Sequence, residues 1–144
     1  MELRILIDTN VFLDYLLDRE PYEESARMII KSCQQKEIEG CIAAHSITNI
    51  FYILRKNFSV KERRVILLDI CKIFYVEGID VKKLRNALVN EKFPDFEDCL
   101  QMECARDFQA DYIVSRNLED FKNSNIPCVA PNEMCRIIKN QRYM

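Results

Sequence analysis

Apolar positions along the chain switch between two spacings. Short unbroken runs, "RILI" (4–7), "CIAA" (41–44), "YVEGI" (75–79), "DYIVS" (111–115) and "PCVA" (127–130), predict buried strands. Between them the spacing becomes helical. Val11 to Leu17 predicts a short helix entered through Asn10. Tyr22, Ala26, Ile29, Ile30 and Cys33 predict a second, with Pro21 as an early residue and Gly40 ending the unit. His45–Ser46 open "SITNIFYILRKN", and Ser59 is the expected cap of "VKERRVILLDICKIF". Asp80 should cap a helix running to about Asn90, with Val81, Leu84 and Leu88 on one face. Phe96, Leu100, Cys104 and Phe108 mark another helix, and Pro131 opens the last. Short apolar strands alternating with helices predict an α/β fold, its sheet parallel and covered on both faces.

Composition narrows this to one ordinary domain, residues 1–144, with 49% apolar and 31% charged residues. No apolar run is long enough to span a bilayer. The start, "MELRILID", passes straight into a strand rather than a signal peptide, so a cytoplasmic protein is expected. The seven cysteines form no C-x-x-C pair, and His45 is the only histidine. A zinc site is therefore not indicated, and the cysteines are expected to be small core residues in a reducing compartment. Gly40 and Gly78 are the only glycines. A dinucleotide or P-loop site, which needs glycines where backbone approaches phosphate, is excluded. The net charge of −2 gives no chain-wide signal for nucleic acid.

In an open parallel sheet, ligands bind beyond the carboxyl ends of the strands, where strand order reverses. Asp8 follows the first strand, and Ser115, Arg116 and Asn117 follow the fourth. "PDFED" adds Asp95, Glu97 and Asp98 at a helix start, and "SRNLEDF" adds Asp120. Each has a local explanation. Asp8 or Asn10 can cap the first helix, Asp95 with Asp98 resembles a capping arrangement, and Asp120 can stabilise a turn. Their convergence on one end of one sheet points instead to a hard cation. Mg²⁺ takes one or two carboxylates, keeps waters, and is completed by substrate phosphate.

"LIDTNVFLD", "DFEDCLQMECA" and "YIVSRNLEDF", in this order, resemble the PIN domain over nearly the whole chain. The resemblance implies a three-layer α/β/α fold with a five-stranded parallel sheet. It also implies a nuclease using Mg²⁺ or Mn²⁺, in which the cation activates water against an RNA phosphodiester. Many bacterial members are VapC-like toxins of type II toxin–antitoxin pairs, held inactive by a small partner. Asp8 matches the first metal carboxylate and Asp98 the one opening the later helix, with Asp120 nearby. Asn49 falls where the family usually has a glutamate, and Asn117 at a position that is often acidic. Two of four expected carboxylates are thus amides, which implies weaker metal binding. A catalytically weakened scaffold that binds protein or RNA is the alternative. A phosphatase using Asp8 as nucleophile is disfavoured, because position 10 is not a second aspartate.

"RKNFSVKERR" supplies Arg55, Lys56, Lys61, Arg63 and Arg64 as candidate RNA-phosphate contacts, or as a solvated face. Phe51, Tyr52 and Phe58 fit core packing as well as base stacking, and helical spacing makes core the default. Residues 46–74 carry more apolar positions than one core-facing stripe requires. An antitoxin segment or a second copy of the chain is expected to cover the surplus.

Overall fold

The computed structural model describes residues 2–143. Five parallel strands, β1 (Arg4–Ile7), β2 (Glu39–Ala43), β3 (Tyr75–Glu77), β4 (Tyr112–Val114) and β5 (Cys128–Val129), lie in the order β3-β2-β1-β4-β5. The expected parallel sheet is the one found. Side chains alternate across it. Ile5 and Ile7 of β1 enter one core, while Leu6 enters the other. The first core is closed by α1 (Thr9–Leu16), α2 (Glu23–Gln34), α3 (Ala44–Ile53), α4 (Val60–Ile73) and α7 (Pro131–Arg142). The second lies under α5 (Val81–Val89) and α6 (Phe96–Phe108).

Several helix starts follow from caps. Ser59 and Glu62 form a reciprocal capping box on α4, Asp80 accepts from Lys83 N–H, and Pro131 is the first residue of α7. The first helix differs from expectation. It starts at Thr9, capped by Asp8, so Asn10 lies inside it. Pro21 precedes α2, which starts at Glu23, and Gly40 lies within β2 rather than ending a helical unit. A Cβ at Gly40 would sit 2.7 Å from Cys33 Sγ and from the Phe74 ring, so only glycine lets this strand pass so close. On α5 the buried residues are Lys83 and Ala87, while Val81 and Leu88 face outward. Lys83 is drawn in by Asp107 at 2.9 Å and Glu77 at 3.6 Å. Five of the cysteines are buried, Cys128 is half-buried and Cys71 is exposed.

Candidate functional site

The chain steps from β1 outward to β2 and β3, then crosses back to place β4 on the other side of β1. Strand order reverses between β1 and β4, where adjacent carboxyl ends splay and leave a crevice. Asp8 leaves β1 at that point, and its N–H still donates to the Val114 carbonyl at 3.0 Å. Both of its carboxylate oxygens are engaged. Thr9 N–H donates to Oδ1 at 2.8 Å, and the Ser115 hydroxyl donates to Oδ2 at 2.8 Å. Ser115 is in turn held by Asn117 N–H at 3.0 Å. Each Asp8 oxygen keeps a second lone pair for another ligand. Asp8 therefore caps α1 and presents a fixed carboxylate; the capping and chemical roles coincide.

The cleft beside it has a volume of about 350 Å³, and its walls include Asp8, His45, Asn49, Tyr52, Glu97 and Asp98. Asp98 comes from the first turn of α6, whose start is set by Asp95 accepting from Asp98 N–H. Burial, then the charges of Asp95, Asp8, Asp120 and Glu97, push Asp98 up to about 7. Burial also raises Asp8, against the lowering effect of the Ser115 and Thr9 hydrogen bonds. Asp120 is exposed on a 3₁₀ turn (Leu118–Phe121) and adds to both shifts through its charge. Among the described residues, no three His, Cys, Asp or Glu side chains converge closely enough to hold a metal ion by themselves. The oxygen donors lining the cleft are the carboxylates of Asp8, Glu97 and Asp98 with amide and hydroxyl oxygens, and no cysteine lines it. This hard-oxygen set suits one hydrated Mg²⁺ or Mn²⁺.

Asn49 lines this cleft, whereas Asn117 lines a neighbouring cavity with Arg116 and Tyr22. Arg55, Lys56, Lys61 and Arg64 are exposed. Arg63 is buried: its guanidinium donates to the Phe51 carbonyl at 2.8 Å and packs on the Phe51 ring. It locks α4 to the end of α3 and is not part of the cationic surface. Tyr52, expected in the core, is 62% exposed.

Two parts of the site have little signal in the sequence. Thr9 donates to Ser46 Oγ at 2.7 Å, and Gln101 Nε2 donates to both hydroxyls, tying α1, α3 and α6 together under the cleft. Arg116 forms a bidentate pair with the fully buried Asp14 of α1, at 2.8 and 3.1 Å, and stacks on Tyr22. His45 and Gln101 leave buried polar atoms without partners at the cleft wall, and burial holds the His45 pKa below its usual value.

The pH dependence of the metal-free protein follows from these shifts. Asp98 is raised in the folded state, so its ionisation penalises folding as pH climbs from about 4 to about 7. His45 is lowered and acts oppositely, losing stability as pH falls below its ordinary value. Comparing wild type with Asp98→Asn isolates the first effect. At pH 8 without metal, the variant should melt about 3 °C higher, since solvent screens much of the repulsion at this half-exposed site. At pH 4 the gap should close. Equal melting curves at both pH values would exclude carboxylate crowding.

Fold and cleft together define a class: a parallel α/β protein with a cation-type acidic cleft at the reversal of strand order. A model of the PIN domain matches residues 4–119, and the chain belongs to the PIN domain family. No curated protein matches it by sequence. Solved structures of the same fold include a toxin–antitoxin complex from Klebsiella pneumoniae, 18% identical with a TM-score of 0.65, covering 88% of this chain and 97% of that one. VapBC2 from Rickettsia felis, bound to a promoter DNA fragment, is 16% identical with a TM-score of 0.60, covering 89% and 98%. VapC20 from Mycobacterium tuberculosis, a toxin that cleaves the sarcin–ricin loop, is 14% identical with a TM-score of 0.61, covering 76% and 86%. At these identities the likeness is one of fold alone.

Proposed function

We propose that this protein is a Mg²⁺- or Mn²⁺-dependent endoribonuclease of single-stranded RNA, the toxin of a toxin–antitoxin pair acting in the cytoplasm. The observation that carries this reading is the meeting of Asp8 and Asp98 in one cleft, where burial raises both carboxyls and the charge of Asp8 adds to the shift of Asp98. Such crowding is stabilised by a cation. Asp8 and Asp98 would hold it, Asp120 would add charge, and Asn49 and Asn117 would offer neutral amide oxygens. When bound, the cation supplies Lewis-acid stabilisation of the phosphate and activation of water. The chain's own part is orientation: Ser115 and Thr9 hold the Asp8 carboxylate in place. Exposed Arg55, Lys56, Lys61 and Arg64 would contact RNA phosphates. The test is cleavage of single-stranded RNA by pure protein, with and without Mn²⁺, with Asp8→Asn as control.

Asn49 has the largest bearing on metal affinity. Asn49→Glu adds a carboxylate to the cleft wall and should tighten Mn²⁺ binding about tenfold or more by calorimetry, roughly 1.4 kcal/mol or more. Unchanged affinity would place residue 49 outside the cation's reach.

A partner is proposed on α4 and the groove it forms with α1 and α2. Val60, Val65 and Leu68 are exposed, and a cavity of about 200 Å³ between α1, α2 and α4 is lined by Phe12, Tyr15, Leu16, Ile66 and Ile73. Structures of this fold solved as toxin–antitoxin complexes support an antitoxin as the partner, and the exposed apolar residues are where it would dock. A homodimer is the competing use of this surface. Coexpression with the neighbouring small reading frame should yield a copurifying complex and relieve growth arrest. A harmless, monomeric chain that copurifies with nothing would remove the toxin reading.

The amides at 49 and 117, with no three carboxylates placed closely enough to hold a metal among the described residues, favour one second reading, a non-catalytic scaffold. Absence of cleavage together with tight RNA or protein binding would establish it.

A further inference from the structure

Tyr52 stands out on the cleft wall. Its neighbours in sequence behave as a helical stripe should: Ile50 and Leu54 are fully buried and Phe51 packs against the core. Tyr52 is instead 62% exposed while lining the same cleft as Asp8 and Asp98. Arg55 covers one face of its ring, with the guanidinium carbon 3.7 Å from the ring centroid. That guanidinium is fixed by donation to the Tyr52 carbonyl at 3.0 Å. An aromatic ring with one face backed by a cation and most of its surface open to solvent has its other face free. Asn49, three residues earlier on α3, lines the cleft on the same side.

Resting on the ribonuclease reading above, the geometry points to Tyr52, backed by Arg55, as a stacking shelf for one unpaired nucleobase of the RNA, next to the scissile phosphate. Three observations agree on the chemistry. Every base has a π-face, and stacking on an exposed aromatic is the sequence-tolerant way to hold single strands. A guanidinium on the far face polarises the ring and adds cation–π attraction. The charge also changes sign, from Asp8, Glu97 and Asp98 lining the cleft to exposed Arg55 and Lys56 in the 3₁₀ turn just after α3. A strand crossing the cleft would thus place one phosphate at the cation, its base on Tyr52, and the next phosphates over Arg55 and Lys56. A shelf of this kind favours unpaired RNA, because a base inside a duplex cannot offer its face.

The experiment measures binding separately from cleavage. In the Asp8→Asn background, where cleavage is expected to be at least about 10²-fold slower, fluorescence anisotropy follows a labelled single-stranded octamer and the same octamer with one abasic position. Tyr52→Ala should weaken binding of the intact octamer about 5- to 100-fold, while Tyr52→Phe stays within about twofold. With the abasic site on the shelf, Tyr52→Ala should change nothing further, the signature of a direct contact in a double-mutant cycle. In the otherwise wild-type protein, Tyr52→Ala should raise KM and leave kcat nearly unchanged. The proposal is overturned if Tyr52→Ala binds RNA like its parent, including the case where it loses only a protein partner. It is also overturned if the loss is the same for every abasic position. These outcomes are separable from failure of the nuclease reading: RNA binding that depends on Tyr52 without any cleavage keeps the shelf and rejects the enzyme. Cleavage untouched by Tyr52→Ala keeps the enzyme and rejects the shelf.

Discussion

Asp8→Asn should lower RNA cleavage about 10²- to 10⁴-fold and leave the protein folded. A catalytic cation contributes several kcal/mol of charge stabilisation, and each ~1.4 kcal/mol is tenfold in rate. The substitution removes the charge that would hold this cation most rigidly, since Asp8 is buried and fixed through both oxygens. It leaves the fold because asparagine caps helices as well as aspartate, so its side-chain oxygen can still accept from Thr9 N–H. The Ser115 hydroxyl can rotate to accept from the new amide. Asp8→Ala is the less informative change, as it removes the cap of α1 together with the charge. Cleavage by Asp8→Asn at the wild-type rate, with a native circular dichroism spectrum, would take Asp8 out of the reaction.

The largest loss of stability is expected from Arg116→Ala. Asp14 is fully buried, and Arg116 supplies its two short hydrogen bonds; Arg19 lies at 3.8 Å. Removing one partner of a buried pair costs about 3–5 kcal/mol, because the remaining charge is left in a poorly solvated place. The proximity of Arg19 favours the lower end, roughly 3 kcal/mol, or about 10 °C in melting temperature. Joint replacement, Asp14→Leu with Arg116→Met, should recover most of the loss, since no charge is then stranded. A melting temperature within about 2 °C of wild type for Arg116→Ala would mean that water or Arg19 solvates Asp14 as well as Arg116 does. Arg116 directly follows Ser115, so the pair also anchors the strand end that orients Asp8.

The features readable in the sequence are those encoded locally. A strand run that ends on an acid, as at Asp8, breaks the apolar pattern at the point where a crevice forms. Asp95 and Asp98 mark the start of α6 by their spacing alone. Long-range pairing left no such trace. Asp14 sits in "VFLDYLL", where nothing local says whether its carboxylate faces solvent or a partner 102 residues away. The Thr9–Ser46–Gln101 links join three distant segments through ordinary polar residues. On α5, periodicity defines two faces without saying which one packs. Lys83 and Ala87 win over Val81 and Leu88 because acids at 77 and 107 draw the lysine inward. Tyr52 shows the same ambiguity at a helix end: spacing places it near the core edge, but only packing decides the side.

The strand order has a consequence in time. β1 is the first strand made, yet its place at the centre of the sheet is completed by β4, and the Ser115 hydroxyl that steadies Asp8 lies 107 residues downstream. At translation rates of about 5–20 residues per second, that separation corresponds to roughly 5–20 s on the ribosome. For most of this interval the nascent chain lacks α6, β4 and half of the acidic cleft. A product stalled before α6 therefore lacks Asp98, Asp120 and Ser115, and the cleft is assembled only after β4 has been made. On the ribonuclease reading proposed above, activity would appear as a step once β4 has joined the sheet, and a partner would have the preceding interval in which to bind the chain.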